Sequence, residues 1–495
     1  MNFFIRNVLF FHLAALVAAF SWIHGGTRPE LLLPVIPWLT AFALEILLIF
    51  PQARSNETLS EARSRVWRAL LRDPFLYAGL LLTAYLVIPL FNATGAPLFD
   101  EASRQWRYPT TPLAGLPFCV NADEHAVLLL WFPPVVAAAL AAKHGLLKAG
   151  KRLLLEMMCW NGAALALLGF AQQATGAKSV FWGSEIFGHF FSTFGYPNFA
   201  GAFFTLLFAV SAGLWFGRAG EEVIGPSAGS GTRVDEAPLL GKHGLLIAVF
   251  LNFAAAIASL SRAAILLCAL LLVVLLVYMV AGVWQKAETD GRVKVLSAVG
   301  GMALLVGLSL TVFAPKALKT ELATISPREV VDRVTGRGQY HARVAKEIFS
   351  DHPAFGVGGW GYPHHMMQYL KPEEYATIQL AGGVNVHNDT LQFLAENGAV
   401  GYGLMLTCVL LLVPLAWQAG RVSRANVVTE AGTAVPPKPA WLYRLPPPLM
   451  AVLLGTAATV CHSLGDLPFR DPAVLIVWVL SFVSVSGFLP SVRKR

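Results

Sequence analysis

Apolar segments of bilayer-spanning length recur along most of this 495-residue sequence. A helix needs roughly 20 mostly apolar residues to cross the hydrocarbon core of a membrane. Because nothing in that core can hydrogen-bond an exposed backbone, a run of this length must cross as a helix. The segments lie near 4–23, 30–50, 75–92, 124–142, 153–173, 197–216, 244–259, 263–284, 295–313, 387–416, 447–464 and 472–489.

The sequence therefore predicts an all-α polytopic membrane protein with about twelve transmembrane helices. The composition points the same way, because 56% of the residues are hydrophobic and only 13% are charged. Such a balance is typical of multi-span membrane proteins. We expect transmembrane helices 1–9 in residues 1–313, a large and partly helical loop over 314–386, and helices 10–12 in 387–495.

Lysine and arginine predict the orientation of these spans. Of 37 basic residues, 23 fall on one side of the predicted bundle and 6 in short loops on the other, while 8 lie in the segment 314–385. Cytoplasmic loops carry the excess of Lys and Arg, and long loops are translocated largely regardless of charge. We therefore expect both termini in the cytoplasm and the large loop outside. The net charge of +8 reflects this bias, and no basic run with interleaved aromatics indicates nucleic-acid binding.

Two predicted outer helix ends carry polar residues. Arg262, in SLSRAA, falls where an apolar run long enough for two spans must turn. Its guanidinium would match a phosphate bidentately, although an arginine there can also simply hold a helix end at the interface. Asn198, in FGYPNFAG, opens a span behind Pro197, where an amide commonly caps the helix.

The large outer loop holds more candidates. It contains Arg328, Arg333, Arg337 and Arg343, and the apolar spacing from His341 to Phe349 predicts a helix. The following GVGGWGYP lacks the lysine of a phosphate-binding Walker loop, so we interpret it as a structural turn. The histidines of this loop fit no known metal-ligand spacing, and we expect neither a metal nor a cofactor. These histidines are His352, His364 and His365.

A polar stripe enters the tenth span. Asn388, Gln392 and Glu396 recur every fourth residue, which places them along one face of a helix. His387 stands at the outer end of this stripe. A histidine at a helix mouth is usually interfacial, but polar and ionisable groups at membrane depth commonly mark functional sites. The residues fit a diphosphate held by arginines and a histidine that assists an incoming hydroxyl.

Four motifs in this order resemble the O-antigen ligase family, which also includes O-antigen polymerases and bacterial O-oligosaccharyltransferases. They are FGYPNFAG, SLSRAA, DHPAFGVG behind a loop arginine, and HN followed by LQFLAENGAVG, spread over about residues 190–410. The resemblance implies a GT-C-like membrane enzyme. Such an enzyme transfers a glycan from undecaprenyl diphosphate to an acceptor hydroxyl at the periplasmic face of the bacterial inner membrane. The transfer is inverting and metal-independent in this family.

Individual roles follow from the same resemblance. His387 matches the histidine that activates the acceptor, and Arg262 the arginine of the Ser-Arg motif. Arg337 best matches the loop arginine, with Arg333 and Arg343 as alternatives, because Tyr340 and His341 stand where the family commonly has a tryptophan. Asn198, Asn388 and Glu396 match positions with structural roles, and Gln392 belongs with them as part of the polar stripe.

The expected partners are a lipid-linked oligosaccharide donor, a lipid A-core or other glycan acceptor, and membrane lipids. O-antigen ligation to lipid A-core is the leading hypothesis. A polymerase that joins lipid-linked repeats and a protein O-oligosaccharyltransferase are the alternatives within the family. A polysaccharide transporter or flippase is the alternative from another class, but it predicts polar residues through several spans near the membrane midplane. Here the polar groups gather at the outer face.

Overall fold

Helices account for nearly all of the regular structure that this computed structural model describes. It describes residues 3–103, 105–107, 109–184, 189–224, 244–286, 338–371, 385–428 and 445–488, together with residues 293, 297, 300, 301 and 374. The helices are α1 Phe3–Trp22, α2 Pro29–Leu32, α3 Ile36–Ile49, α4 Leu59–Leu70, α5 Pro74–Val87, α6 Ala122–Leu140, α7 Lys148–Ala174, α8 Pro197–Ile224, α9 Gly244–Ala258, α10 Arg262–Lys286, α11 Gly338–Asp351, α12 Tyr362–Tyr369, α13 Asp389–Val428, α14 Pro447–Ser463 and α15 Pro472–Ser484. Strands β1 Leu98–Asp100 and β2 Gln105–Arg107 form an antiparallel hairpin.

The prediction of an all-α polytopic membrane protein is confirmed. Across the described ranges, six helices are long and apolar enough to cross a membrane, and five more are apolar but shorter. These eleven coincide with eleven of the twelve predicted spans. The remaining one, 295–313, lies outside the described residues apart from three positions. Single 3-10 turns extend two of these eleven segments, at Ile88–Phe91 after α5 and Val485–Phe488 after α15.

Helix α8 is the centre of the bundle. In its spanning segment, 94% of the residues are buried, whereas the same fraction is 39% for α10. It packs against α9, α10 and α14. Small residues allow these close approaches, because a Cβ at Gly201 would lie 2.7 Å from Ser261 Cβ on the α10 side. Close helix approach through small residues is the usual way in which helices associate in lipid.

A three-residue turn separates α9 from α10, as the apolar run predicts. Leu260 has a φ of +61°, which reverses the chain direction between Ser259 and Ser261. The Ser261 hydroxyl accepts a hydrogen bond from the Ala264 N–H at 3.3 Å, so it caps the new helix. Arg262 is then the first residue of α10 rather than a member of the turn.

Helix α13 is broken near its start. Gly398 has φ +60° and ψ −171°, so the backbone leaves the helical conformation between Asn397 and Ala399. The turn that follows α11 fills this break: the N–H groups of Ala399 and Val400 donate to the carbonyls of Pro353 and Ala354, at 2.8 and 3.0 Å. A helix interruption at membrane depth is tolerated when neighbouring groups satisfy the freed backbone in this way.

The glycine-rich turn and the broken helix exchange hydrogen bonds in both directions. The N–H groups of Val357 and Gly358 donate to the carbonyls of Ala395 and Glu396, at 3.1 and 2.7 Å. Tyr85 of α5 donates its hydroxyl hydrogen to the carbonyl oxygen of Asn397 at 2.7 Å. The turn is therefore an integral part of the bundle, in agreement with its interpretation as a structural turn.

We predict that Gly398→Ala destabilises the protein. The positive φ strains any residue with a side chain by about 1–3 kcal/mol, and the new Cβ would overlap the Ala354 carbonyl carbon. Gly403→Ala, in the same helix, is the control, because no atom lies within 4 Å of its added Cβ. It should be neutral or stabilising by about 0.5–1 kcal/mol. Thermal unfolding of the purified protein measures both, and equal midpoints would contradict the role of Gly398.

Candidate active site

Six helix ends meet at one end of the bundle, which we call the site end. Helices α8, α10, α13 and α15 begin there, and α9 and α14 end there. Contacts across these ends hold them together: Asn388 donates to the Leu464 carbonyl at 2.9 Å, and the Asp389 N–H to the Asp466 carbonyl at 3.2 Å. Three predicted site residues, Asn198, Arg262 and His387, all lie at these ends.

His387 stands two residues before α13 in a strained conformation. Its φ is +53°, which is uncommon for a residue other than glycine and is often found at functional sites. Its side chain is 41% exposed, so the ring can meet a substrate. The Nδ1 atom lies 3.5 Å from Asp466 Oδ1, within ion-pair distance, and that carboxylate is 8% exposed.

Asp466 is itself held in place by three donors. The Tyr196 hydroxyl donates to Oδ2 at 3.0 Å, the Leu467 N–H donates to Oδ1 at 2.8 Å, and the Asn198 amide donates to Oδ2. These three hydrogen bonds fix the position of the carboxylate. The sequence analysis missed Asp466. The available signal was an acidic residue in the short loop between the last two spans, at the same predicted membrane surface as His387.

Asn198 joins two parts of the site end. Its amide contacts Asp466, and it lies in the first turn of α8, three residues before Gly201. Gly201 in turn packs against Ser261, the neighbour of Arg262. The start of α8 therefore brings the histidine–carboxylate pair and the Arg262 helix end to one region, although they are 125 residues apart in sequence.

Of the three candidate arginines in the outer loop, the structure describes one, Arg343. Arg333 and Arg337 lie outside the described residues. Arg343, on α11, is bound by two carboxylates, Glu347 at 2.7 Å and Glu374 at 2.6 Å, and it also donates to the Tyr369 carbonyl at 3.1 Å. These partners raise the pKa of the guanidinium, against the effect of burial. This engagement argues against direct contact of Arg343 with a donor diphosphate.

The predicted polar stripe is connected as a chain of hydrogen bonds. Asn388 caps α13 by accepting the Leu391 N–H at 3.0 Å. Gln392 is buried, accepts the Val386 N–H at 2.9 Å, and donates to Glu396 Oε1 at 3.1 Å. The stripe therefore anchors the backbone immediately before His387, and its polar atoms face protein rather than an open site.

The far end of the stripe carries a buried ion pair that the sequence did not predict. Glu396 is 1% exposed and pairs with Arg470, which lies in the same short loop as Asp466. The guanidinium also stacks over the Trp360 ring at 4.4 Å, a cation–π contact. Trp360 belongs to the glycine-rich turn, so this pair ties the turn, α13 and the last loop together.

A second histidine lies behind His387. His341, on α11, is buried, and its ring centre lies 6.5 Å from that of His387. Its Nδ1 atom makes a 2.8 Å hydrogen bond with the Tyr362 hydroxyl. Burial, with a smaller electrostatic contribution from neighbouring His387, lowers the pKa of His341 to about 4. His341 is therefore neutral at physiological pH and acts as a packing and hydrogen-bonding group.

The described histidines of the outer loop meet other side chains. Within the ranges that the structure describes, no group of three or more His, Cys, Asp or Glu side chains is placed to hold a metal ion. His364 instead pairs with Glu124 at 2.9 Å, and His352 and His365 pack against the Phe118 ring.

The fold and this site define a multi-pass membrane protein with a histidine–carboxylate pair at one membrane surface. Residues 247–406 match the family model described as O-antigen ligase. This match confirms the family resemblance and supports glycosyltransferase activity of the O-antigen ligase or polymerase type. Lipid-linked glycan donors and glycan acceptors are the partners that the family implies. No curated protein matches the chain.

The matched range contains Arg262, Arg343 and His387 and excludes Asn198, Asp466 and Arg470. These three side chains of the candidate site thus lie outside the matched range. They come from α8 and from the loop between α14 and α15, which the fold brings next to α13.

We predict that the outer-loop helices α11 and α12 become less stable as the pH falls. Burial lowers the pKa of His365 on α12 to about 3, as it lowers that of His341 to about 4. The unfolded segment, with an ordinary histidine pKa near 6.5, then binds more protons than the folded one. The contribution of the two neutral, buried histidines to the stability of α11 and α12 is therefore fully present above about pH 6.5 and is lost as the pH falls toward 4. Hydrogen exchange at pH 7.5 and 5 measures this loss.

The control for that measurement is the variant His341→Gln, which removes one of the two titrating groups. Its exchange protection in α11 should change less between the two pH values than that of the wild type. Equal pH dependence in both proteins would contradict the assignment of the effect to His341.

We predict that Glu396→Ala destabilises the protein by about 3–5 kcal/mol, because it leaves the Arg470 guanidinium buried without its carboxylate. Removing both charges in a Glu396→Gln, Arg470→Met double variant should cost less than the single substitution. Thermal or denaturant unfolding in detergent measures both proteins. A double variant that is less stable than Glu396→Ala would show that the pair is not the cause.

Proposed function

We propose that this protein transfers a glycan from a polyprenyl diphosphate carrier, undecaprenyl diphosphate in bacteria, to an acceptor hydroxyl at the periplasmic surface of the inner membrane. The observation that carries the proposal is the pair formed by His387, inside the matched range 247–406, and Asp466, outside it. It supplies a base at the membrane surface, where a lipid-linked donor presents its diphosphate. We place both termini in the cytoplasm, and the large loop of residues 314–386 in the periplasm, on the distribution of basic residues.

His387 is the proposed general base. Its Nδ1 atom faces Asp466, which orients the ring and stabilises the charged imidazolium, and this leaves Nε2 for the acceptor hydroxyl. The acceptor oxygen attacks the anomeric carbon as its proton passes to Nε2. The bond from that carbon to the diphosphate oxygen breaks, and the polyprenyl diphosphate leaves with the electron pair. One such displacement inverts the anomeric configuration and requires no metal ion.

The leaving diphosphate gains negative charge in this step, and arginines are suited to stabilise it through paired hydrogen bonds. We propose Arg262 for this role, because α8 brings its helix end to the same region as the His387 pair. Arg337 is the proposed second ligand from the loop, with Arg333 as the alternative. For Arg343 we propose a structural role, since Glu347 and Glu374 already bind its guanidinium.

The remaining polar residues hold Asp466 and the backbone around His387 in place. Asn198 holds Asp466, Asn388 caps α13, and Gln392 and Glu396 hold the backbone that carries His387. The preferred acceptor is lipid A-core, which makes the reaction an O-antigen ligation. Polymerisation of lipid-linked repeats and transfer to a protein hydroxyl use the same donor chemistry and are the alternatives. A transporter is disfavoured because these polar groups gather at a membrane surface rather than at the midplane.

We predict that His387→Ala and Arg262→Ala abolish glycan transfer while the protein still inserts and accumulates in the membrane. Loss of a general base typically costs about 10²–10⁴-fold in rate. Arg343→Gln is the matched control, and it should retain transfer at a level set only by its effect on loop stability. Surface glycan is scored by gel alongside immunoblots of the membrane fraction. Normal surface glycan in the His387 and Arg262 variants would refute the catalytic roles.

We predict that Asp466→Asn lowers kcat with little change in KM for the donor, because Asp466 orients the base and does not contact the diphosphate. Asp466→Glu keeps the charge and should retain more activity than Asp466→Asn. Steady-state kinetics of the purified protein measures this split. A rise in KM alone would instead place Asp466 in donor binding.

The acceptor is decided by deleting the gene and separating lipopolysaccharide on a gel. Loss of long chains with accumulation of polyprenyl-linked polymer indicates ligation, and bands of core carrying single repeats indicate polymerisation. Unchanged lipopolysaccharide would indicate that the protein transfers a glycan other than O-antigen or that its acceptor is a protein.

A further inference from the structure

The loop between α5 and α6 carries a small hairpin with unusually exposed apolar side chains. Strands β1 and β2 pair Phe99 with Trp106, whose rings meet edge to face at 5.2 Å, and Leu98 with Arg107. Leu98 is 70% exposed and Phe99 is 49% exposed, one on each face of the hairpin. A two-stranded hairpin is at best marginally stable in water without a surface to pack on.

Further apolar side chains extend this surface along the same loop. Phe91, at the end of the spanning segment Pro74–Phe91, is 76% exposed, and Leu113 and Leu116 are 48% and 45% exposed. The buried Asn92 holds these parts together, because its amide donates to the Leu113 carbonyl at 3.0 Å and accepts the Leu113 N–H at 2.8 Å. Leu113 is thus fixed beside the end of α5.

This surface continues the lipid-facing side of α5. Leu80 and Leu81 in the middle of that span are 57% and 60% exposed, and Ile88 near its end is 37% exposed. These side chains contact acyl chains in a membrane-embedded bundle. Exposed apolar side chains therefore follow one another along the chain from the spanning segment to Phe91 and on into the loop.

We propose that the described part of the hairpin loop, residues 91–103, 105–107 and 109–116, is an anchor that inserts into the lipid interface at the site end of the bundle. Its apolar side chains would enter the boundary between headgroups and acyl chains, as amphipathic surface segments do. The charged residues fit the same placement: Asp100 pairs with Arg107, which is 74% exposed, and the exposed Glu101 lies at the hairpin turn. Aromatic rings such as Trp106 favour this interfacial depth.

The anchor is connected directly to the glycine-rich turn. The N–H of Thr94 donates to the Cys119 carbonyl at 2.9 Å, which closes the base of the loop. Gly358 of the turn has a φ of +83° and packs so closely on this base that an added Cβ would lie 2.5 Å from the Phe118 carbonyl oxygen. The other side of Gly358 is hydrogen-bonded to Glu396 of α13. The anchor therefore sets the height of the turn, and of the helix it supports, relative to the bilayer surface.

The test measures the depth of the hairpin directly and does not depend on transfer activity. Cys461 is the exposed native cysteine and the other four are buried, so Cys461→Ala provides the parent protein. A single cysteine at Leu98→Cys is labelled with an environment-sensitive fluorophore, and the full chain is reconstituted in lipid nanodiscs. Quenching is measured with lipids that carry a nitroxide near the top of the acyl chain, and with aqueous iodide. Lys346→Cys, on the exposed side of α11, is the matched control.

We expect several-fold stronger quenching by the nitroxide lipid at position 98 than at position 346, and the reverse order with iodide. Equal iodide quenching at both positions would overturn the proposal, because the hairpin would then stand in water. Protection from both quenchers at position 98 would also overturn it, since a protein surface would then cover the hairpin. Leu113→Cys repeats the measurement if the Leu98 variant does not accumulate, and the same outcomes decide it.

Discussion

The fold depends on hydrogen-bond partners for the backbone N–H and C=O groups that the break in α13 at Gly398 leaves unpaired within the helix. A helix interrupted near a membrane surface leaves N–H and C=O groups that lipid cannot pair. Here the turn after α11 supplies the partners for Ala399 and Val400, and α13 returns bonds to Val357 and Gly358. The described segment 338–371 of the outer loop is consequently fixed on the first turns of α13 by main-chain hydrogen bonds.

The fixed position of these first turns brings the polar residues of the candidate site together. The short helical stretch before the break carries Gln392 and Glu396, which hold the segment that ends at His387. The loop between α14 and α15 reaches the same place, with Asp466 facing the histidine and Arg470 facing Glu396. His387 and Glu396 thus each meet a charged residue of this one loop, which is distant from α13 in sequence.

The sequence predicted the helices well and the contacts of the site less well. Hydrophobic length predicts spans because lipid leaves few alternatives, and eleven segments matched. The polar stripe and His387 were predicted as candidate site residues because polar side chains are rare in an apolar span. Asp466 and Arg470 were not predicted, because a short loop with charged residues looks like any membrane-surface loop until folding places it against α13. The ion pairs of Arg343 with Glu347 and Glu374 were not predicted either, because sequence spacing does not show which acidic residue an arginine contacts.

The most direct measurement of the central claim uses the purified protein in proteoliposomes with a lipid-linked glycan donor and lipid A-core acceptor. Free polyprenyl diphosphate and glycosylated acceptor are quantified together over time. We expect both products in equal amounts without added metal ion, and neither product with the His387→Ala protein. Glycan that crosses the membrane still attached to its carrier, or equal product from the His387→Ala protein, would contradict this expectation.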